Sequence, residues 1–341
     1  MANLRPMLFM GLLVLAYLMW VEWQKDYGVK PQPQPQTASE RANSSFDSPP
    51  LPSPQAAVPE AGDLPAPDAG LTSSTQETIT QQPEMTGGGE LITVTTDVLE
   101  VEIDPVGGTV VSAKLLNYPV EFDVPGIKVN LFNSGGPEMF IAQSGLLSRS
   151  SAPNHTSNYQ TDTMNYALGE TADEIRVPLT WTDASGIQVT KTLIFKRGKY
   201  DIGVRHTLTN KSGQSWSGSR YDQLQRSIIA DRDDGGFTNP GRYSFFGIAF
   251  YSPDEKFEKL DFDDVASEPY QRSFSDGWLS MVQHYFFSAW IPPKAQPNAY
   301  STQVYAPNGF PRYIARAVSP VVEVAAGSSH EFESRLYIGP K

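Results

Sequence analysis

The residues to test first for chemistry are the histidines, and the chain has four: His155, His206, His284 and His330. None is spaced as HxH or HxxxH, the patterns that put two imidazoles on one face of a strand or helix to hold a metal. The segment Asp231-Arg-Asp-Asp-Gly-Gly236 opens like a calcium loop. Its fifth position is Gly235 and its twelfth is Arg242, where a bidentate carboxylate should stand, so it reads as a solvated turn. There is no cysteine, which excludes disulfides, thiolate metal sites and cysteine nucleophiles. No GxSxG, P-loop or GxGxxG signature stands between a strand and a helix. Paired carboxylates could serve glycoside chemistry, but among 38 acidic residues no pair stands out. The sequence therefore predicts no catalytic, metal-binding or cofactor-binding residue.

The charge balance narrows the partners. A net charge of −12 and a pI near 4.8 oppose nucleic-acid binding, which draws its affinity from clustered Lys and Arg. With 39% hydrophobic and 11% aromatic residues, the chain can bury a large core.

The elements available to position any site are strands. From Leu91 the runs alternate with β-branched residues: Leu91 to Thr96, Val98 to Ile103, Thr109 to Leu115. Asp104-Pro105 and Gly107-Gly108 punctuate the second and third runs, as a tight reversal requires. Ile187 to Phe195 and Tyr200 to Leu208 read as a hairpin closed at Arg197-Gly198, and Val321 to Val324 and His330 to Ile338 alternate again across a turn at Gly327. Asp254 to Lys259 reads as mixed charges on an exposed turn with Phe257 tucked inward. Between Asp276 and Gln283 the spacing of Trp278, Met281 and Val282, then Tyr285, predicts a core-facing helical turn before a buried strand from Tyr285 to Ile291. More than a dozen short strands without a long amphipathic helix predict a mainly β fold, a large antiparallel sandwich of two extended sheets with few short helices.

Two other regions precede this domain. Met7 to Trp23, MLFMGLLVLAYLMWVEW, carries no charge before Glu22. With Leu4 and a snorkelling Arg5 it approaches the roughly 20 residues that span a hydrocarbon core. Met7 and Leu12 lie in this expected transmembrane anchor, and Tyr17, Trp20 and Trp23 crowd the end that should meet the headgroups. The bulky, charged residues Val21 to Tyr27 leave no small-x-small site for cleavage as a signal peptide. Residues 28–90, rich in Pro, Gln, Ser and Gly, read as a disordered linker. The expected domains are thus an anchor at 1–27, a linker at 28–90 and the β domain at 91–341. A few residues before the span and a large domain after it suit a cytoplasmic N-terminus, with the bulk of the chain outside.

The blocks FFGIAFYSPDEKFEKLDFDD (245–264) and DGWLSMVQHYFFSAWIP (276–292) resemble the first large periplasmic domain of the YidC-type membrane protein insertases of gram-negative bacteria. The likeness extends to Trp20-Val-Glu-Trp-Gln, to LITVTTDVLEVEIDPVGGTVVSAKLLNYP (91–119) and to Leu336-Tyr-Ile-Gly-Pro340. It covers the chain apart from the linker. The resemblance implies a β-supersandwich similar to galactose mutarotase, in which Gly107, Gly108, Phe246, Gly277, Trp278, Tyr285, Trp290 and Pro292 are structural motif residues. It also implies a non-enzymatic function in the bacterial inner membrane: helping nascent inner-membrane proteins insert and fold, with or without the Sec translocon.

The implied partners are SecYEG, SecD/SecF, nascent inner-membrane proteins, and the bilayer through the N-terminal helix. The β domain would be periplasmic, and no cofactor is implied. In the family the insertase work falls to a later bundle of transmembrane helices with an essential groove arginine, to which nothing in this sequence corresponds. This portion is therefore expected to anchor, scaffold and dock, with Ile338, Gly339 and Pro340 coupling it to the membrane part. The alternative is a membrane-tethered carbohydrate-binding or mutarotase-like domain, with Trp181, Trp216 or Trp278 stacking on sugar faces.

Overall fold

The computed structural model describes residue 17 and residues 89–121, 123–228, 245–306 and 310–341. The chain divides into two compact units, Met1–Ala66 and Pro67–Lys341. In the first, Tyr17 is helical and 61% exposed. The other expected anchor residues, Met7, Leu12, Trp20 and Trp23, lie outside the described residues, as do the linker up to residue 88 and the Asp231 to Arg242 segment. Among the described residues, no helix is long and apolar enough to cross a membrane.

The second unit is built of strands. In chain order they are β1 (Ile92–Thr95), β2 (Leu99–Asp104), β3 (Thr109–Pro119), β4 (Lys128–Asn130), β5 (Phe140–Ser148), β6 (Asn165–Ala167), β7 (Glu174–Thr182), β8 (Ile187–Lys196), β9 (Asp201–Asn210) and β10 (Trp216–Ser227). There follow β11 (Gly247–Ser252), β12 (Lys256–Leu260), a short helix α1 (Phe262–Ser267), β13 (Gln271–Phe274), β14 (Trp278–Val282), β15 (Phe286–Ile291), β16 (Asn298–Tyr305), β17 (Arg312–Val318), β18 (Val322–Val324) and β19 (Ser329–Pro340). They form an 11-stranded sheet, β13-β16-β17-β10-β5-β3-β2-β1-β6 with β18 beside β10 and β4 beside β3, and an 8-stranded sheet, β12-β11-β14-β15-β19-β9-β8-β7. All pairings are antiparallel apart from β1 with β6. The expected mainly β, antiparallel two-sheet fold is the one found.

The alternation that predicted these strands is the one that builds the core. β2 and β8 bury every second residue, and Val101, Leu193, Leu224, Trp290 and Leu336 from the two sheets join one apolar cluster. Arg197-Gly198 closes the β8–β9 hairpin as expected. The turn at Gly327 joins β18 to β19, which lie in different sheets.

Two expectations are corrected. Asp276 to Gln283 is not a helical turn: Trp278 to Val282 is β14, paired with β11 and with β15. The apparent helical spacing arose because β14 is apolar toward both of its faces, and because Tyr285, in the turn before β15, is 70% exposed. Phe257 does not tuck inward. It lies on β12, an edge strand, and is 45% exposed.

A polar node sits between the sheets. Lys191 occupies an inward position of β8, and its ammonium donates to the carbonyls of Gly107 (2.9 Å), Gly108 (2.8 Å) and Ser144 (3.2 Å). Three acceptors match the three protons of the charged amine, although burial pulls its pKa down to about 7. The tie needs the β2–β3 turn close by: Gly107 has φ +73°, and a Cβ there would lie 2.3 Å from the His155 carbonyl oxygen. On β10, Arg220 Nε lies 2.8 Å from Asp222 Oδ2 with both side chains sealed from solvent. The guanidinium also donates to Asn298 Oδ1 (3.2 Å) and to the Glu333 carbonyl, and Ser334 donates to Asp222 Oδ1 at 2.9 Å. Burial pushes the Asp222 carboxyl up, while Arg220, Ser334 and Lys191 oppose it.

Two histidines are neutral here because burial disfavours their charged forms. His155, with Nδ1 2.6 Å from Tyr221 Oη, is lowered from 6.5 to about 4, and His206, opposite Lys191, is held well below its ordinary value. An unfolded chain takes up these protons below pH about 6.5, so stability should fall as pH drops from there toward 4. His155 alone should account for roughly 3 kcal/mol. Among the described residues, neither ring nitrogen of His206 has a hydrogen-bond partner, so His206→Leu should keep stability at neutral pH and lose less in acid. Urea unfolding midpoints at about pH 7 and about pH 4 check this; an acid loss equal to that of the parent would contradict it.

Candidate functional site

The interior charges could do chemistry only if a substrate reached them. Lys191 is 2% exposed, and His206, Arg220 and Asp222 are 0% exposed. The hydrogen bonds of Lys191, Arg220 and Asp222 join one sheet to the other, and the surface grooves described below are lined by other residues. Among the described residues, no group of three or more His, Asp or Glu is placed to hold a metal. Of the tryptophans considered for sugar stacking, Trp216 is 1% exposed with Nε1 donating to the Ser151 carbonyl, and Trp181 packs half-buried against the core.

The outer face of the 8-stranded sheet is different. Phe257 on β12, Tyr251 on β11 and Trp278 on β14 are cross-strand neighbours in register. Side chains so placed point the same way and touch. Trp278 stacks on Tyr251 (centroids 5.7 Å apart, 9° between planes) and lies against Phe257 at 5.7 Å and Phe287 at 6.5 Å; Phe287 then stacks on Tyr337 at 4.7 Å. Gly277 permits the close approach, since a Cβ there would lie 2.3 Å from the Tyr251 carbonyl oxygen. The row is half-buried, ends at the exposed Phe257, and lies on a sheet edge. Aromatic rings held rigid with one face open are the usual anchors of protein docking surfaces.

The remaining expected residues are dispersed around this row. Gly107 and Gly108 form the turn tied to Lys191. Trp290 is core, 2% exposed, its Nε1 donating to the Gln223 carbonyl at 3.0 Å, and Pro292 is buried just past β15. The Arg226 guanidinium lies over the Phe246 ring at 4.4 Å and over the Phe140 ring at 4.6 Å, in a groove of about 350 Å³ that also takes in Asn130 and Gln283. At the end of β19, Ile338 is core, Gly339 packs against Tyr200, and the Pro340 carbonyl accepts from Tyr337 Oη at 2.7 Å. Pro340 also lines a second, more apolar groove of about 400 Å³ with Tyr118, Tyr285 and Phe286. Tyr251, Phe257, Phe287 and Tyr337 were not singled out from sequence as surface residues; a hairpin register between β11 and β12 was the signal that could have found the first two.

Residues 91–341 match the family model described as the YidC periplasmic domain. The membrane protein insertase YidC of Thioalkalivibrio sulfidiphilus is 35% identical, the alignment covering 100% of this chain and 59% of that protein. That of Methylococcus capsulatus is 37% identical, covering 100% of this chain and 58% of that protein. The chain thus spans less than two thirds of the length of these curated relatives. Among solved structures, it is similar to a galactose mutarotase-like protein from Lactobacillus casei (9% identity, TM-score 0.46, 73% of this chain and 99% of that one). It is also similar to a galactose mutarotase related enzyme from Lactobacillus acidophilus (8% identity, TM-score 0.44, 73% and 97%).

The two tryptophans should separate in their response to truncation. Trp290→Ala leaves a cavity and an unpaired carbonyl, with an expected cost of about 3–5 kcal/mol. Trp278→Ala removes ring contacts at a half-exposed site, with an expected cost of about 1–2 kcal/mol. Denaturant unfolding of the two variants checks this, and equal losses would place Trp278 in the core after all.

Proposed function

The chain belongs to the YidC family, and on that premise we propose that it is the anchoring and docking portion of an inner-membrane insertase and chaperone. The protein would help nascent inner-membrane proteins insert and fold, alone or beside SecYEG. Its N-terminus would be cytoplasmic, with Met7 to Trp23 as the anchor. Residues 91–341 would be periplasmic, and SecD/SecF would be their docking partner. Ile338, Gly339 and Pro340 would transmit this docking to the membrane part. Support comes from the insertase relatives, which align along the whole chain.

The observation that carries the docking role is the row Phe257–Tyr251–Trp278, rigid, aromatic and open at a sheet edge. The carbohydrate alternative has less to work with, because the interior His, Lys and Asp groups are sealed. A photoreactive phenylalanine analogue at Phe257, in the full chain in inner membranes, should crosslink to SecD or SecF. The same analogue at Gly213, where an added side chain meets open space, should not. Equal labelling at the two positions would remove the docking assignment.

A further inference from the structure

We propose that the apolar tip formed by Val120, Val124, Ile127 and Tyr285 rests in the headgroup layer of the bilayer, giving the β domain a lipid contact of its own besides the anchor. This goes beyond the docking role and rests on the membrane anchor proposed above. The four side chains are 58%, 39%, 61% and 70% exposed. Single exposed apolar residues are ordinary, but these cluster. The Val120 N–H donates to the Ile127 carbonyl at 2.9 Å, which closes the segment between β3 and β4 and sets the two side by side. Ile127 N–H in turn donates to Val124 at 3.2 Å. Tyr285 joins them across the groove that it shares with Tyr118, Val120 and Phe286, where Tyr118 and Phe286 meet edge to face at 5.5 Å.

The chemistry suits a lipid interface. Tyrosine at a rim of aliphatic side chains is the composition favoured at headgroup depth, and lysines beside it can reach phosphates. Lys128 pairs with Pro119 at the base of the tip, and the Lys341 N–H donates to the Tyr285 carbonyl at 3.0 Å. Burial, with a smaller contribution from Lys259, holds the Lys341 amine below its ordinary value. Glu121 and Asp123 lie on the same segment and offset Lys128 and Lys341, so the tip is near charge balance in a chain of net charge −12. Apolar burial therefore carries the contact, with charge as a minor aid.

The occupant is indicated by the chain itself. Met7 to Trp23 is an apolar run ending in aromatics, and residues 28–90 join it to the domain. With the proposed anchor on the same chain, a lipid contact too weak for a free domain becomes populated.

The lack of cysteine permits a direct test in the full chain. Val120→Cys, Ile127→Cys and Gly213→Cys would each carry a bimane label. Gly213 belongs to the far end of the domain: Asn210 bonds to Ser328 there, and β19, 12 residues long, runs from Ser329 to the Pro340 end. The labelled chains are reconstituted in vesicles of phosphatidylethanolamine and phosphatidylglycerol, with and without brominated acyl chains. Quenching by brominated lipid should be at least about threefold greater at 120 and 127 than at 213, with aqueous iodide giving the reverse order. Labels quenched by iodide alike at all three positions would overturn the proposal. So would labels at 120 and 127 shielded from both quenchers, since a protein would then cover the tip. Flotation of the same vesicles separates the readings: a floating chain with water-exposed labels refutes only the lipid contact, whereas a chain that fails to float overturns the anchor and this contact with it.

Discussion

The ion pair of Arg220 with Asp222 is the constraint around which the domain is arranged. Both groups are sealed between the sheets, where isolated charges would cost far more than any single contact returns. They persist because the opposite sheet supplies their remaining partners, the Ser334 hydroxyl and the Glu333 carbonyl of β19, while Asn298 adds another from β16. Lys191 ties β8 to the β2–β3 turn in the same way. Such a network tolerates one relative placement of the two sheets, whereas apolar packing alone would tolerate several. The charges that might suggest chemistry are thus committed to holding the sandwich together.

The proposed docking role then falls to the outside. The 8-stranded sheet ends at β12, where Phe257, Tyr251 and Trp278 stand in one row and the strand edge is unpaired among the described residues. A rigid aromatic row on an edge can hold a partner without reorganising, because little rotamer freedom is lost on contact. Beyond this row, the segment after β3 and the turn before β15 place aliphatic and tyrosine side chains beside Pro340. A chain of the YidC family with a sealed interior and two distinct apolar surfaces is suited to positioning other molecules.

Much of this architecture was legible in the residues. β2, β8, β9 and β19 alternate so regularly that their pairing faces could be read directly, and Gly107-Gly108 and Arg197-Gly198 marked the reversals. Lys191 was legible in principle, since it shares the parity of Ile187, Val189 and Leu193 on β8. β10 was harder. Its sequence, WSGSRYDQLQRS, lacks apolar alternation because both faces are buried, one against the polar node and the other under neighbours such as His155, which bonds to Tyr221. Trp278 misled because a strand apolar toward both faces mimics helical spacing over a few residues. The aromatic row is completed by the register of β14 against β11, a long-range fact that local patterning does not encode.

The central claim is that partners engage the β12 edge while the interior serves only the fold. Amide hydrogen exchange of the full chain tests it most directly, comparing inner-membrane vesicles that contain SecD and SecF with detergent solution. The account predicts slower exchange in the vesicles at β12 and at the turns Pro253 to Glu255 and Ser275 to Gly277. Exchange at β7, the opposite edge of the same sheet, should be unchanged. Slowing at β7 with none at β12 would contradict it.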